Sequence, residues 1–191
     1  MVTIALADSD DTSRGKLAGH INAHPGFKVT LEAADGDSFL RPLRLHTLPE
    51  VALIDIGLPE GYALRIAGSF RAYGFKTRIL ILSSRPSRAG AEEALAAGAL
   101  SYVDKAASLP VIIAAIRSCQ RRKTYVYFKK GHWLQKFIGN AWGRNMLRVF
   151  PKRKEKDTYS ELLEKGFSRE DIHSALRKYF LHQSQAENKG K

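Results

Sequence analysis

The sequence predicts an α/β protein: a doubly wound, five-stranded parallel sheet followed by a small basic all-α module. Three observations carry this expectation. Five short apolar runs alternate with helical stretches over residues 1–120. One of those runs, VALID at 51–55, shows little of the polar alternation of a half-exposed strand, as expected where both faces of a sheet are covered. The charge is also lopsided. Residues 1–120 hold 13 Lys and Arg against 12 Asp and Glu, whereas residues 121–191 hold 18 against 7, so +11 of the net +12 lies in the last 71 residues.

Each element has its own local signal. VTIALAD at 2–8 is a β-branched and aliphatic run. Asp11-Thr12-Ser13 can cap a helix to about Ala23, with Leu17, His20 and Ile21 spaced along it, and His24-Pro25-Gly26 stops it. FKVTLEA at 27–33 alternates as a strand, and Asp35-Gly36-Asp37 opens a helix to about Leu48. After VALID, a helix over 62–73 leads to RILILSS at 78–84. A helix from Ser87 to Ala97 ends at Gly98, a residue type that stops helices. LSYVDK at 100–105 is the fifth strand, and a helix over 108–120 carries Val111, Ile112, Ala115 and Ile116 on one face.

Composition narrows the class. A hydrophobic fraction of 44% over 191 residues allows a real core. No window approaches 18 consecutive apolar residues, so no spanning helix is expected. The N-terminus turns acidic within eight residues and has no basic n-region, so no signal peptide is expected. The one cysteine, Cys119, excludes an internal disulfide framework and fits a reducing cytoplasm. The six histidines form no metal-binding set; His20 and His24 stand four apart without a third ligand.

Ligands in open parallel sheets bind beyond the carboxyl ends of the strands, near the switch in strand order. Asp8, Asp55, Ser83 and Lys105 fall at the ends of the first, third, fourth and fifth runs, so their polar groups should converge on one edge. Carboxylates at such an edge suit a hard divalent cation, Mg²⁺. A lysine beside them indicates an anion handled in the same place, the set that phosphoryl transfer requires. Each residue also has a structural reading: a strand-end Asp can cap a turn, and Lys105 can be a solvated charge.

As a set these residues resemble the receiver domain of two-component response regulators. The resemblance spans residues 2–120 and has four parts in order: A-D-S at 7–9, V-A-L-I-D-I-G-L-P at 51–59, I-L-I-L-S-S at 79–84 and A-L-A-A-G-A-L-S-Y-V-D-K at 94–105. It implies that a histidine kinase phosphorylates Asp55. Asp8, Asp55 and the Gly57 carbonyl would hold Mg²⁺, Lys105 would pair with carboxylate or phosphoryl oxygens, and Ser83 would hydrogen-bond the phosphoryl group. Tyr102 would act as the switch residue, and the face made by the fourth helix, fifth strand and fifth helix would mediate a homodimer. Three positions depart from the family pattern. Ser9 stands where the second of two adjacent acids is usual, which removes a negative charge from the cation site and should weaken Mg²⁺ binding unless Asp10 turns inward. Ala63 and Asp104 are smaller departures.

The segment AAIRSCQRRKTY at 114–125 resembles the way receivers of the NarL/LuxR type lead into a DNA-binding module. Residues 121–156 are expected to form a basic, aromatic-rich linker or first helices, 157–182 a helix-turn-helix-like pair, and 183–191 a disordered tail. Phosphate contacts would come from Lys129, Lys130, Lys136, Arg144, Arg148, Lys152, Arg153, Lys154, Arg169, Arg177 and Lys178. The aromatics among them read as a small second core or as base-stacking groups. The resemblance stops short after Leu176, where the chain leaves no room for a normal further helix. The leading expectation is a cytoplasmic, non-enzymatic response regulator whose basic module binds DNA and controls transcription. One alternative is a phosphorylation-independent receiver acting as a signalling adaptor through protein contacts. Another lays the Trp-containing basic segment on a membrane surface.

Overall fold

The computed structural model describes residues 1–41 and 48–128. In chain order they form β1 (Val2–Ala7), α1 (Asp11–Asn22), β2 (Phe27–Ala33), α2 (Gly36–Leu40), β3 (Val51–Asp55), a 3₁₀ turn (Pro59–Gly61), α3 (Tyr62–Ala72), β4 (Arg78–Ser83), α4 (Arg88–Ala97), β5 (Ser101–Asp104), α5 (Leu109–Gln120) and β6 (Tyr125–Tyr127). The strands make one parallel sheet in the order β2-β1-β3-β4-β5-β6. The predicted doubly wound α/β architecture is present. The second helix is described only to Leu40, and its expected run toward Leu48 crosses residues 42–47, outside the described residues.

The sheet divides two cores because successive side chains of a strand point to opposite faces. Ala5, Ala7, Ala52, Ile54, Ile79, Ile81 and Tyr102 share one core with residues of α2, α3 and α4. Ile4, Leu6, Val51, Leu53, Leu80, Leu82 and Val103 share the other with residues of α1 and α5. Every residue of β3 is buried, which explains why VALID shows no polar alternation.

Helix starts follow their caps. Asp35 accepts from the Ser38 backbone N–H at 2.7 Å while the Ser38 hydroxyl accepts from the Asp35 backbone N–H, a capping box. Ser87 accepts from the Gly90 N–H at 3.0 Å. At α1 the capping residue is Asp10 rather than Asp11, since the Asp10 carboxylate accepts from the Ser13 N–H at 3.0 Å.

The sheet has six strands, one more than the sequence predicts. The additional strand, YVY at 125–127, pairs with β5 through Ser101↔Tyr125, Tyr102↔Val126 and Val103↔Tyr127. Three residues are too few to carry a period, and the lysines that follow gave this stretch the look of a basic linker. The turn that creates the strand is visible in the backbone. Arg122 adopts a left-handed conformation (φ 53°), and the N–H groups of Arg122 and Lys123 bond back to the carbonyls of Cys119 and Ser118. The Ser101 hydroxyl then accepts from the Tyr125 N–H and from the Cys119 thiol, each at 3.2 Å. Burial pushes the Cys119 thiol up to about 12, so it packs as a small apolar group and offers no thiolate.

The contact between α3 and α4 depends on Gly98. Its φ is +128°, and a Cβ there would lie 2.7 Å from the Ala67 carbonyl oxygen. Gly98→Ala should destabilise the domain by about 1–3 kcal/mol from backbone strain, before the clash is added; chemical denaturation of the two proteins side by side measures it.

Candidate functional site

Four strands deliver their ends to one edge. Register sets Ala7 of β1 beside Ile54 of β3, Asp55 beside Leu82 of β4, and Ser83 beside Asp104 of β5. The next residues therefore emerge together: Asp8 after β1, Asp55 ending β3, Ser83 ending β4 and Lys105 after β5. Backbone bonds fix these ends, with Asp8 N–H donating to the Ala33 carbonyl at 3.0 Å, Ile56 N–H to Leu82 at 2.8 Å and Lys105 N–H to Ser83 at 2.8 Å.

The centre of the site is the Lys105 ammonium. Its Nζ lies 2.7 Å from Asp8 Oδ2 and 2.7 Å from Asp55 Oδ2, with side-chain exposures of 14% for the lysine and 0% and 9% for the two acids. The remaining carboxylate oxygens are oriented by the backbone: Asp55 Oδ1 accepts from the Gly57 N–H and Asp8 Oδ1 from the Asp10 N–H, each at 3.0 Å. Burial is the largest influence on Lys105 and by itself would favour the neutral amine. The bonds to Asp55 and then Asp8 together outweigh it and hold the ammonium above its ordinary value of 10.5. A raised folded value means that the pair contributes its full stability below the ordinary lysine range and loses it only as pH climbs through the raised value. The Lys105 ammonium therefore stays charged across the physiological range.

The residues expected to converge do so, and the others can be placed. Ser83 is buried next to Lys105 through the β4–β5 register. Gly57 sits against Asp55, where a Cβ would be 3.4 Å from Oδ1. Tyr102 is 1% exposed and already turned inward. The Asp10 carboxylate is fully exposed and caps α1. Its acidity is strengthened first by the Ser13 N–H and more weakly by Lys105. Asp104 is buried, and its Oδ1 accepts from the Ala106 N–H at 2.8 Å, which shapes the turn after β5. Ala63 is buried in the core that faces α3. All the phosphate-contact candidates from Lys129 to Lys178 lie outside the described residues. Sequence reasoning missed Arg14, whose Nη1 donates to the Asp8 carbonyl at 2.6 Å and whose guanidinium pairs with Asp11. The available signal was its position one turn into the helix that starts just after Asp8.

Residues 4–117, more than half of the chain, match the response regulator receiver domain family. The chain belongs to that family. The receiver is 27% identical over 125 residues to a Mycobacterium tuberculosis protein named as the transcriptional regulatory protein NarL, across 65% of this chain and 57% of that one. This chain thus spans little more than half the length of the NarL regulator it matches. It is 25% identical over 151 residues to the Bordetella pertussis virulence transcription regulator BvgA, across 79% of this chain and 71% of that one. Among solved structures, it resembles the receiver domain of the M. tuberculosis NarL response regulator (TM-score 0.59, 28% identity, 63% of this chain and 96% of that one). It also resembles a LuxR-family response regulator from Aurantimonas sp. SI85-9A1 (TM-score 0.60, 29% identity, 65% and 89%). A protein-glutamate methylesterase of Anaeromyxobacter dehalogenans is 34% identical over 111 residues, but the match takes in only 30% of that enzyme. Among the described residues, no helix is long and apolar enough to cross a membrane.

The donor set can be tested against Mg²⁺, the cation associated with the acidic pocket of receivers. Among the described residues no three His, Cys, Asp or Glu side chains group around a common point. Mg²⁺ does not need three, because it commonly takes one or two carboxylates and keeps several waters. Asp8 and Asp55 carry two negative charges against one from Lys105, so the pocket retains a net negative charge with which to attract a cation.

Removing Lys105 would leave two buried carboxylates uncompensated. Lys105→Met should cost about 3–5 kcal/mol in urea denaturation at neutral pH, the range for breaking a buried pair. Adding Asp8→Asn to that variant should recover part of the loss; a strictly additive double mutant would contradict the coupling.

Proposed function

We propose that the chain is a response regulator switched by phosphorylation of Asp55 by a histidine kinase, with Mg²⁺ held at Asp8, Asp55 and the Gly57 carbonyl, and that its basic C-terminal segment binds DNA to control transcription. The observation that supports this best is the Lys105 ammonium bridging two buried carboxylates at the open end of a parallel sheet. An Asp55 carboxylate oxygen would attack the phosphorus of a phosphohistidine. The P–N bond breaks, the imidazole leaves with the electron pair, and Asp55 becomes an acyl phosphate. When bound, Mg²⁺ supplies positive charge to the phosphoryl oxygens.

The protein's own groups do the rest. Lys105 already sits on Asp55 and can follow the negative charge outward onto the phosphoryl group. The Ser83 hydroxyl can donate to a phosphoryl oxygen. The Gly57 N–H holds the acceptor carboxylate in place, and glycine leaves no side chain over it. The segment from 121 to 191 carries +11, which favours a polyanionic partner whose binding weakens steeply with salt. The relatives are named as transcription regulators, which agrees with a DNA target. A homodimer through the face of α4, β5 and α5 would have to accommodate β6, which covers the outer edge of β5.

Two observations favour a second reading, a receiver that acts as an adaptor without phosphate. Ser9 supplies no charge to the cation site, and the Asp10 carboxylate is committed to the start of α1.

Incubation of the full chain with acetyl phosphate and Mg²⁺, followed by intact-mass measurement, should add one phosphoryl group to the wild type and none to Asp55→Asn. No addition to the wild type would favour the adaptor. Ser9→Asp restores a carboxylate and should reach half-maximal labelling at a Mg²⁺ concentration roughly tenfold lower, equivalent to about 1.4 kcal/mol. The full chain should retain duplex DNA at low salt and release it at high salt; retention that ignores salt would count against phosphate contacts.

A further inference from the structure

Tyr102 is the point where the pocket, the fourth helix and the last strand meet. It lies on β5 three residues before Lys105, and it is 1% exposed. On one side its hydroxyl lies against the first turn of α4: a Cβ at Gly90 would stand 2.9 Å from the Tyr102 oxygen and 3.6 Å from Cζ. On the other side its register partner is Val126, which is buried in the same core. Its ring also meets the ring of Phe128 edge to face, with centroids 6.0 Å apart and planes at 72°. Phe128 directly follows β6, and Lys129-Lys130 of the basic segment come next.

β6 is poised to respond to that ring. It is three residues long and, among the described residues, has β5 as its single neighbour in the sheet. Short edge strands with few ladder bonds belong to the part of a fold that opens most readily. Its attachment to the core facing α4 comes from Val126 and Phe128, and both lie on the Tyr102 side of the sheet. Losing one aromatic pair corresponds to roughly a two- to tenfold change in an opening equilibrium, enough to shift a strand of this size and too little to unfold the domain.

We propose that β6 and Phe128 form an exit lever read by Tyr102: the inward ring, given room by Gly90, seats β6 on the sheet, and displacing the ring unseats the strand together with Phe128. Gly90 and Phe128 are positioning residues for Tyr102. The coupling stands on the geometry of α4, β5 and β6 and is independent of whether Asp55 takes a phosphoryl group.

Hydrogen exchange on the full chain tests this. Gly90→Ala adds one methyl group within α4, where alanine favours the helix, and that methyl is aimed at the Tyr102 hydroxyl. Amides 125–127 should exchange at least threefold faster in this variant, with β1 and β3 unchanged. Adding Tyr102→Phe removes the oxygen at 2.9 Å and leaves an ordinary 3.6 Å contact with the ring; the 3.2 Å approach to the Ser87 hydroxyl remains in both variants, so exchange at 125–127 should return toward the wild-type rate if the ring carries the effect. Phe128→Ala should accelerate the same amides from the other side of the ring. The lever is overturned if Gly90→Ala leaves 125–127 unchanged, if Tyr102→Phe fails to reverse its effect, or if Phe128→Ala has no local effect.

Discussion

A lysine ammonium placed 2.7 Å from each of two buried carboxylates is the constraint on which the rest of the site depends. Desolvating any one of these charges alone would be costly, and together they neutralise only in part. Stability alone gives little reason to keep such a group, because apolar side chains of similar volume often replace a buried ion pair without loss. The arrangement makes sense if the charges are needed for something else, namely to orient a carboxylate and to hold a counter-charge ready where more negative charge is to arrive.

The sheet supplies the positions. Parallel strands run their carboxyl ends to one edge, and the order β2-β1-β3-β4-β5-β6 sets β1 beside β3. Asp8 and Asp55, 47 positions apart in the sequence, become neighbours because β1 and β3 pair in register from Ile4↔Val51 to Ala7↔Ile54. The polar edge is possible because the strands behind it are largely buried and apolar. β3 is buried along its length, and β4 is buried from Ile79 to Ser83. The lysine is then held by its own backbone N–H on the Ser83 carbonyl, so the residues whose hydroxyl and ammonium are expected to meet a phosphoryl group are linked by one backbone hydrogen bond.

Most of this architecture was legible in the sequence, for physical reasons that differ by element. The strands announced themselves as uninterrupted apolar runs, and Gly98 and Ser87 marked the ends of α4 because helix termini need particular chemistry. The convergence of Asp8, Asp55, Ser83 and Lys105 followed from topology alone. Asp10 was harder: its carboxylate could turn toward a cation or cap a helix, and the choice depends on a backbone conformation (φ −86°, ψ 105°) that no composition signal encodes. β6 was harder still. Its three residues sit between Arg121-Arg122-Lys123 and Lys129-Lys130, and the turn that folds them back uses a left-handed Arg122 where glycine would have been the recognisable residue.

Ser9 bears on how the pocket can work at all. With the usual second acid, three carboxylates against one lysine would leave a charge of about −2, which a divalent cation balances before any phosphoryl group arrives. Here the balance is about −1, so a divalent cation leaves the pocket at about +1, and conversion of the Asp55 carboxylate to a dianionic acyl phosphate would add one further negative charge and bring it to about zero. The cation would therefore be held more weakly than in a three-acid pocket, whereas its attraction to a phosphoryl group is a pairwise interaction that the missing charge leaves unchanged. The Asp10 carboxylate, spent on the first turn of α1, cannot easily restore the missing charge without loosening the helix that Arg14 anchors to the Asp8 carbonyl.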